Sequence, residues 1–221
     1  MTLQPEPEDF SVNTEAEAKD FVRSLSDGDA NALPRLEKFV GELLSENKRQ
    51  NLIGQNSEDV IWQRHIADSA QLLRYVPRGT FLNSAKNDKW LDLGTGAGFP
   101  GLIVAAICPE WPIVLVESRG RRAEFLSRMV ASLSLPNVEV LGERLERVSP
   151  FPCAIISARA FAPLNKLLRL SAPFSTAETR YILPKGRSAA QELTGQKQSI
   201  RRMFHVKQSI TDENAGIIVS R

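Results

Sequence analysis

Apolar residues recur at three- and four-residue spacing through the first third of the chain. Beyond residue 89 they gather in short runs separated by glycine and proline. Leu33, Leu36, Phe39, Val40, Leu43 and Leu44 fall on one helix face, and Phe21, Val22 and Leu25 form a shorter stripe before them. Asn51-Leu52-Ile53-Gly54 interrupts the spacing. A third helix is predicted from about 57 to 75, ended by Pro77-Arg78-Gly79. Residues 1–13, with Pro5, Pro7 and acidic neighbours, read as a loose arm.

Short apolar runs at 90–93, 113–116, 138–141, 154–156 and 181–183 alternate with helical stretches such as Ala123, Leu126, Met129, Val130 and Leu133. That alternation predicts right-handed β-α-β units and a parallel sheet. Two last strand-like runs, 203–210 and 215–220, are joined by Thr211-Asp212-Glu213-Asn214 and read as an antiparallel hairpin. The expected fold is α/β, with about seven strands. An arm and helical cap cover 1–80, a sheet domain covers 81–221, and the two form one compact unit.

Composition narrows the class without naming a function. At 221 residues, 42% hydrophobic and 24% charged, the chain is an ordinary globular one. Cys108 and Cys153 lie far apart and match no zinc spacing, which predicts no metal site and a reducing compartment. No apolar run approaches the ~20 residues of a membrane span, and the first residues are acidic where a targeting segment is basic. The cytoplasm is the expected location. Net charge is only +2, but it is unevenly spread. Residues 1–30 hold eight acidic and two basic side chains, whereas residues 155–210 hold ten basic and two acidic. The basic half suits a polyanionic partner, or a plain solvated face.

The segment with chemical content is Trp90-Leu91-Asp92-Leu93-Gly94-Thr95-Gly96-Ala97-Gly98-Phe99-Pro100-Gly101. A strand enters a turn with glycine at alternate positions and leaves as a helix, whose first turn tolerates Pro100. Without Cβ atoms the main chain can turn sharply and lie against a ligand at the carboxyl end of the strand. Gly96 to Gly101 satisfies the dinucleotide pattern G-x-G-x-x-G. Gly94, Gly96 and Gly98 after an Asp-bearing strand satisfy the G-x-G-x-G spacing of S-adenosylmethionine methyltransferases. Glu117, at the end of the second strand, can accept hydrogen bonds from ribose hydroxyls in either case. The closing hairpin and the lack of a Tyr-x-x-x-Lys pair favour the methyltransferase over an NAD(P)-dependent oxidoreductase.

Five motifs, in order, carry a resemblance. They are Asn51-Leu52; Arg64-His65-Ile66-Ala67-Asp68-Ser69; Leu91 to Gly101; Ala158-Arg159-Ala160-Phe161-Ala162; and Leu183-Pro184-Lys185-Gly186. From about Asn51 onward the chain resembles the bacterial small-subunit (16S) rRNA guanine-N7 methyltransferases, the glucose-inhibited division protein B (RsmG) family. Ile53 departs from the pattern, in which Thr is commoner. The resemblance implies a class I methyltransferase fold and a cytoplasmic enzyme. It would use S-adenosylmethionine to methylate N7 of a guanine in 16S rRNA or the small ribosomal subunit, acting as a monomer. It also implies that Gly94 and Phe99 line the donor pocket, with Gly96 and Gly98 shaping it. Leu145 and Glu146 would bracket adenine, and Arg159 would bind the donor and reach the target base.

Guanine N7 carries a lone pair and no proton, so direct displacement needs no general base, and Arg159 is expected to position rather than catalyse proton transfer. Arg64, His65, Lys185, Arg187, Arg201 and Arg202 are the expected phosphate contacts. Phe99 or Phe161 would stack on a base, or serve the core. Pro152-Cys153 precedes a strand and reads as a buried, inert thiol rather than a cytosine-methylating nucleophile. A class I methyltransferase of another RNA or a small molecule is the nearest rival, and an RNA-binding module with a vestigial glycine turn the non-enzymatic one.

Overall fold

A computed structural model describes residues 10–76, 80 and 89–221. Seven strands form one sheet: β1 (Lys89–Leu93), β2 (Ile113–Val116), β3 (Val138–Leu141), β4 (Cys153–Ser157), β5 (Arg180–Gly186), β6 (Phe204–Gln208) and β7 (Gly216–Ser220). Their spatial order is β3-β2-β1-β4-β5-β7-β6. The first five are parallel, and β7 inserts antiparallel between β5 and β6. The strand β1 is buried from Trp90 onward and β2 is apolar and buried throughout, because helices cover both faces of the sheet. Side chains along β1 alternate between two cores. Trp90 joins the core beneath the N-terminal helices, and Leu91 and Leu93 join the other.

On the first face lie α1 (Glu15–Leu25), α2 (Ala32–Gln50), α4 (Gly101–Ile107) and α5 (Gly120–Ser132). All seven residues of α4 are buried, because the sheet covers one side and α2 the other. Arg35 of α2 donates to the Ala106 carbonyl, and Lys38 donates to that of Ser132 at 2.6 Å. On the second face lie α6 (Leu164–Ser171) and α7 (Ala189–Thr194). One apolar cluster runs unbroken from Val12 and Phe39 in the cap to Ile155 and Val219 in the sheet. No helix among the described residues is long and apolar enough to cross a membrane.

Three expectations change in detail. The last residues of the predicted arm are docked: Val12 is buried and its N–H donates to the Ile210 carbonyl at 2.7 Å. Residues 1–9 and the predicted stop at Pro77-Arg78-Gly79 lie outside the described residues. The third helix is three pieces: a π-helical stretch Trp62–Ala67, one α turn α3 (Asp68–Ala70), and a 3₁₀ stretch Gln71–Tyr75. Apolar spacing over so few residues does not separate these pitches. The predicted first hairpin strand begins one residue later, since α8 (Gln198–Met203) takes up Met203.

Candidate active site

Above the carboxyl end of β1 the chain makes the glycine turn. Gly94 and Gly96 have φ of +65° and +62°, which a side chain rarely tolerates. The turn is tied to β2: the Gly94 N–H donates to the Val116 carbonyl at 2.8 Å. Glu117 fastens it from above, one carboxylate oxygen accepting from the Gly96 N–H at 3.0 Å and the other from the Arg119 N–H at 2.8 Å. Each bond uses one of the roughly four acceptor positions of a carboxylate, so Glu117 retains capacity for ribose hydroxyls.

Beneath the turn, Asp92 is buried and burial raises its pKa, against the pull of Ser157 and other donors. It accepts from the Ser157 hydroxyl at 2.6 Å and from the Gly101 N–H at 2.9 Å, while the Trp90 indole donates to Ser157 at 2.8 Å. The motif aspartate therefore fixes β1 to β4 and to the start of α4. Gly101 is needed for that approach, because a Cβ there would lie 2.5 Å from Leu115 and 2.7 Å from the Asp92 Cβ. Leu145 is buried against the ends of β1 and β2 in a 3₁₀ turn (Leu145–Arg147), and Glu146 beside it is exposed. These positions suit the adenine end of a nucleoside laid across the turn.

The second half of the site is a stack that joins the cap to the loop after β4. His65 lies flat on Phe99, with ring centres 4.9 Å apart and planes 17° apart. The Arg159 guanidinium lies over the same Phe99 ring at 4.7 Å. Arg159 donates to His65 Nδ1 at 3.2 Å and lies 3.5 Å from Asp68 Oδ2. Since a guanidinium only donates, Nδ1 must accept, and the His65 proton sits on Nε2, which donates to the Ser57 hydroxyl at 2.9 Å. That hydroxyl donates onward to the Gly54 carbonyl at 2.7 Å. Burial, then the charges of Arg159 and Arg64, push the His65 pKa down to about 3. Phe99 is buried, packed against His65, Arg159 and, edge to face, Phe39, so its side chain is closed to a base. Phe161 lies over Gly94, so close that a Cβ there would meet its ring at 2.6 Å.

The expected RNA contacts separate into groups. Arg64 and Arg187 are exposed at the carboxyl ends of the strands. His65 is a neutral acceptor for Arg159 rather than a cation for phosphate. The Lys185 side chain is only 6% exposed, donating to the Ala162 carbonyl at 2.8 Å and pairing with Glu192 at 3.0 Å, so it braces the 159–163 loop. Arg201 and Arg202 are exposed, but on the last turn of α8, before Phe204. Phe204 pairs with Ser220, whose hydroxyl meets Tyr181 N–H near the start of β5. The two arginines therefore sit at the amino end of the sheet, away from the glycine turn, because β6 and β7 double back. Cys153 is likewise at the amino end and buried, its thiol pushed up to about 12 by burial. Asp68, Ser157 and Gln71 were not picked out by sequence reasoning, although Asp68 stands inside a motif that carried the resemblance.

The reversed seventh strand and the glycine turn at the carboxyl end of β1 define a class I methyltransferase, a class whose methyl donor is S-adenosylmethionine. The putative methyltransferase YhhF from Escherichia coli is similar in fold, with a TM-score of 0.52 at 14% identity, covering 70% of this chain and 84% of that one. A chain of the fibrillarin/Nop5p complex is also similar, with a TM-score of 0.51 at 15% identity over 72% and 81%. The family described as "GidB: rRNA small subunit methyltransferase G" matches residues 32–216, and the chain belongs to that family. Curated relatives named ribosomal RNA small subunit methyltransferase G include that of Erythrobacter litoralis, 54% identical over 95% of this chain and 97% of the relative. That of Novosphingobium aromaticivorans is 50% identical over 96% and 90%.

Proposed function

We propose that the chain methylates N7 of one guanine in the small-subunit rRNA, with S-adenosylmethionine as donor. The observation that carries this reading is the bare glycine turn, held open by Glu117 beside the Arg159–Phe99–His65 stack. Gly94, Gly96, Gly98, the Phe99 backbone, Glu117, Leu145 and Glu146 would hold the donor. When bound, the donor supplies a methyl carbon with a neutral thioether as leaving group. Guanine N7 needs no deprotonation, so the chain's task is to align the base and keep water out. This agrees with a neutral, fully engaged His65, both of whose ring nitrogens are hydrogen-bonded. Methylation leaves the base cationic, and the carboxylate of Asp68 beside Arg159 offsets the positive field there. Arg64 and Arg187 would meet phosphates at the rim. The enzyme would act as a monomer in the cytoplasm, on rRNA or the assembled subunit.

The test is transfer of tritiated methyl from S-adenosylmethionine to small subunits from cells lacking this protein, with the modified base mapped. Label at guanine N7 of the rRNA supports the reading. Label on protein, on another base atom, or nowhere overturns it.

A further inference from the structure

A cleft of about 980 Å³ opens between the cap, the 159–163 loop, the end of β5 and the β6–β7 turn. Its size falls at the upper end of small-molecule sites, roughly 300–1,000 Å³. Asp68, Arg159 and Phe161 line it, and Phe161 is the ring that covers Gly94, so the cleft abuts the donor turn. The two oxygens of Asp68 are unequal. Oδ1 accepts from Gln71 at 2.8 Å and from the Thr211 hydroxyl at 3.0 Å. Among the described residues Oδ2 has only the long, 3.5 Å approach of Arg159. A fixed donor and an underused acceptor therefore stand side by side on the cleft wall, both partly exposed.

We infer that this couplet selects the target base, with Arg159 donating to guanine O6 and Asp68 Oδ2 accepting from N1–H. The inference rests on the proposed N7 methylation and names how that site chooses between purines. Both purines offer a nucleophilic N7, so N7 chemistry alone does not discriminate. On the adjoining edge guanine presents an acceptor, O6, and then a donor, N1–H. Adenine presents an amino donor and then the bare N1 acceptor. Against a donor–acceptor wall guanine pairs twice, whereas adenine sets donor against donor and acceptor against acceptor. A site whose buried polar groups are left unpaired rejects the wrong ligand far more strongly than one that only lacks contact. The Gln71 and Thr211 bonds hold Asp68 in place, and Phe99 and His65 hold Arg159.

The experiment measures methyl transfer to reconstituted small subunits whose rRNA carries guanine, inosine or adenine at the mapped position. Wild-type enzyme should methylate inosine, which keeps O6 and N1–H, within about tenfold of guanine, and adenine at least a hundredfold more slowly. Asp68→Asn keeps an oxygen for Gln71 and Thr211 but turns an amide donor toward the base. It should lower transfer to guanine by at least tenfold while leaving adenine transfer within a few-fold, so the guanine-to-adenine ratio collapses. The ratio is internal to one preparation, so a partly folded variant still reports. An unchanged ratio in Asp68→Asn, whether both rates fall together or neither does, overturns the couplet, as does wild-type enzyme that methylates adenine as fast as guanine. Absence of N7-methylguanine with wild-type enzyme is a different result, and it would remove the underlying methylation reading instead.

Discussion

At the scale of single residues, His65 shows how burial turns a titratable group into a fixed acceptor. Its folded pKa of about 3 lies below its unfolded value near 6.5, so the folded state binds the proton less well. The stability this contributes is full above about pH 6.5 and is lost as pH falls toward 3, at no more than about 1.4 kcal/mol per pH unit. The charged groups facing it are Arg159 and Arg64, with Asp68 behind Arg159. His65→Gln keeps a donor and an acceptor without the titration. Its urea stability should therefore fall less than the wild-type's between pH 6.5 and 4.5, and a proton NMR titration should find His65 neutral throughout that range. Parallel stability curves would show that His65 is freely protonated in the folded state. Gly94 makes a second prediction. Gly94→Ala forces a side chain into a φ of +65° and against Phe161. Donor affinity by calorimetry should drop at least tenfold, and unaltered affinity would mean the donor does not lie on this turn.

Among the elements, docking of the cap rests on a few buried polar side chains. Gln71 is fully buried, donating to Asp68 and to Ser209 while its carbonyl accepts from Ile210 N–H at 3.0 Å. Gln71→Leu leaves the Ile210 N–H unpaired in the interior, which costs about 1–3 kcal/mol, while Ser209 keeps its bonds to Thr211. A loss of about 1–3 kcal/mol in urea unfolding is expected; a change under about 0.5 kcal/mol would mean water takes the place of Gln71. Glu15 works similarly, accepting from the Trp62 and Gln63 N–H groups at 3.0 and 2.8 Å at the start of the π-helical stretch. Part of the acidic excess of residues 1–30 is thus spent on caps and pairs within the fold. The sequence made the sheet legible because β1 to β4 are short runs with glycine or proline at one end, and the closing hairpin followed from its position. The glycine turn was legible because it is continuous. The stack was not, because Arg159 lies 94 positions from its partner His65, and periodicity says nothing about which distant side chains meet. Lys185 and Glu192 show the same limit: each reads as a surface charge until the fold brings them together.

On the scale of the whole molecule, the question is which cations steer RNA to the site. The strand β5 has seven residues, so at roughly 3.3 Å per residue its ends are about 20 Å apart. Arg64 and Arg187 belong to the carboxyl end, and Arg201 and Arg202 to the amino end. At physiological ionic strength the screening length is roughly 8 Å, so charges at one end do little for a phosphate at the other. Charge reversal at both ends separates a crevice that grips RNA from a protein that is merely basic. Arg64→Glu with Arg187→Glu should raise the KM for small subunits at least tenfold and leave the KM for S-adenosylmethionine unchanged. It should also flatten the dependence of log affinity on log salt by about 1.4–1.8, as expected for two lost phosphate contacts. Arg201→Glu with Arg202→Glu should change that KM by less than threefold. Equal effects from the two pairs would mean that RNA runs along the β6 edge from one end of the sheet to the other, and a salt-independent KM would remove phosphate recognition from both surfaces.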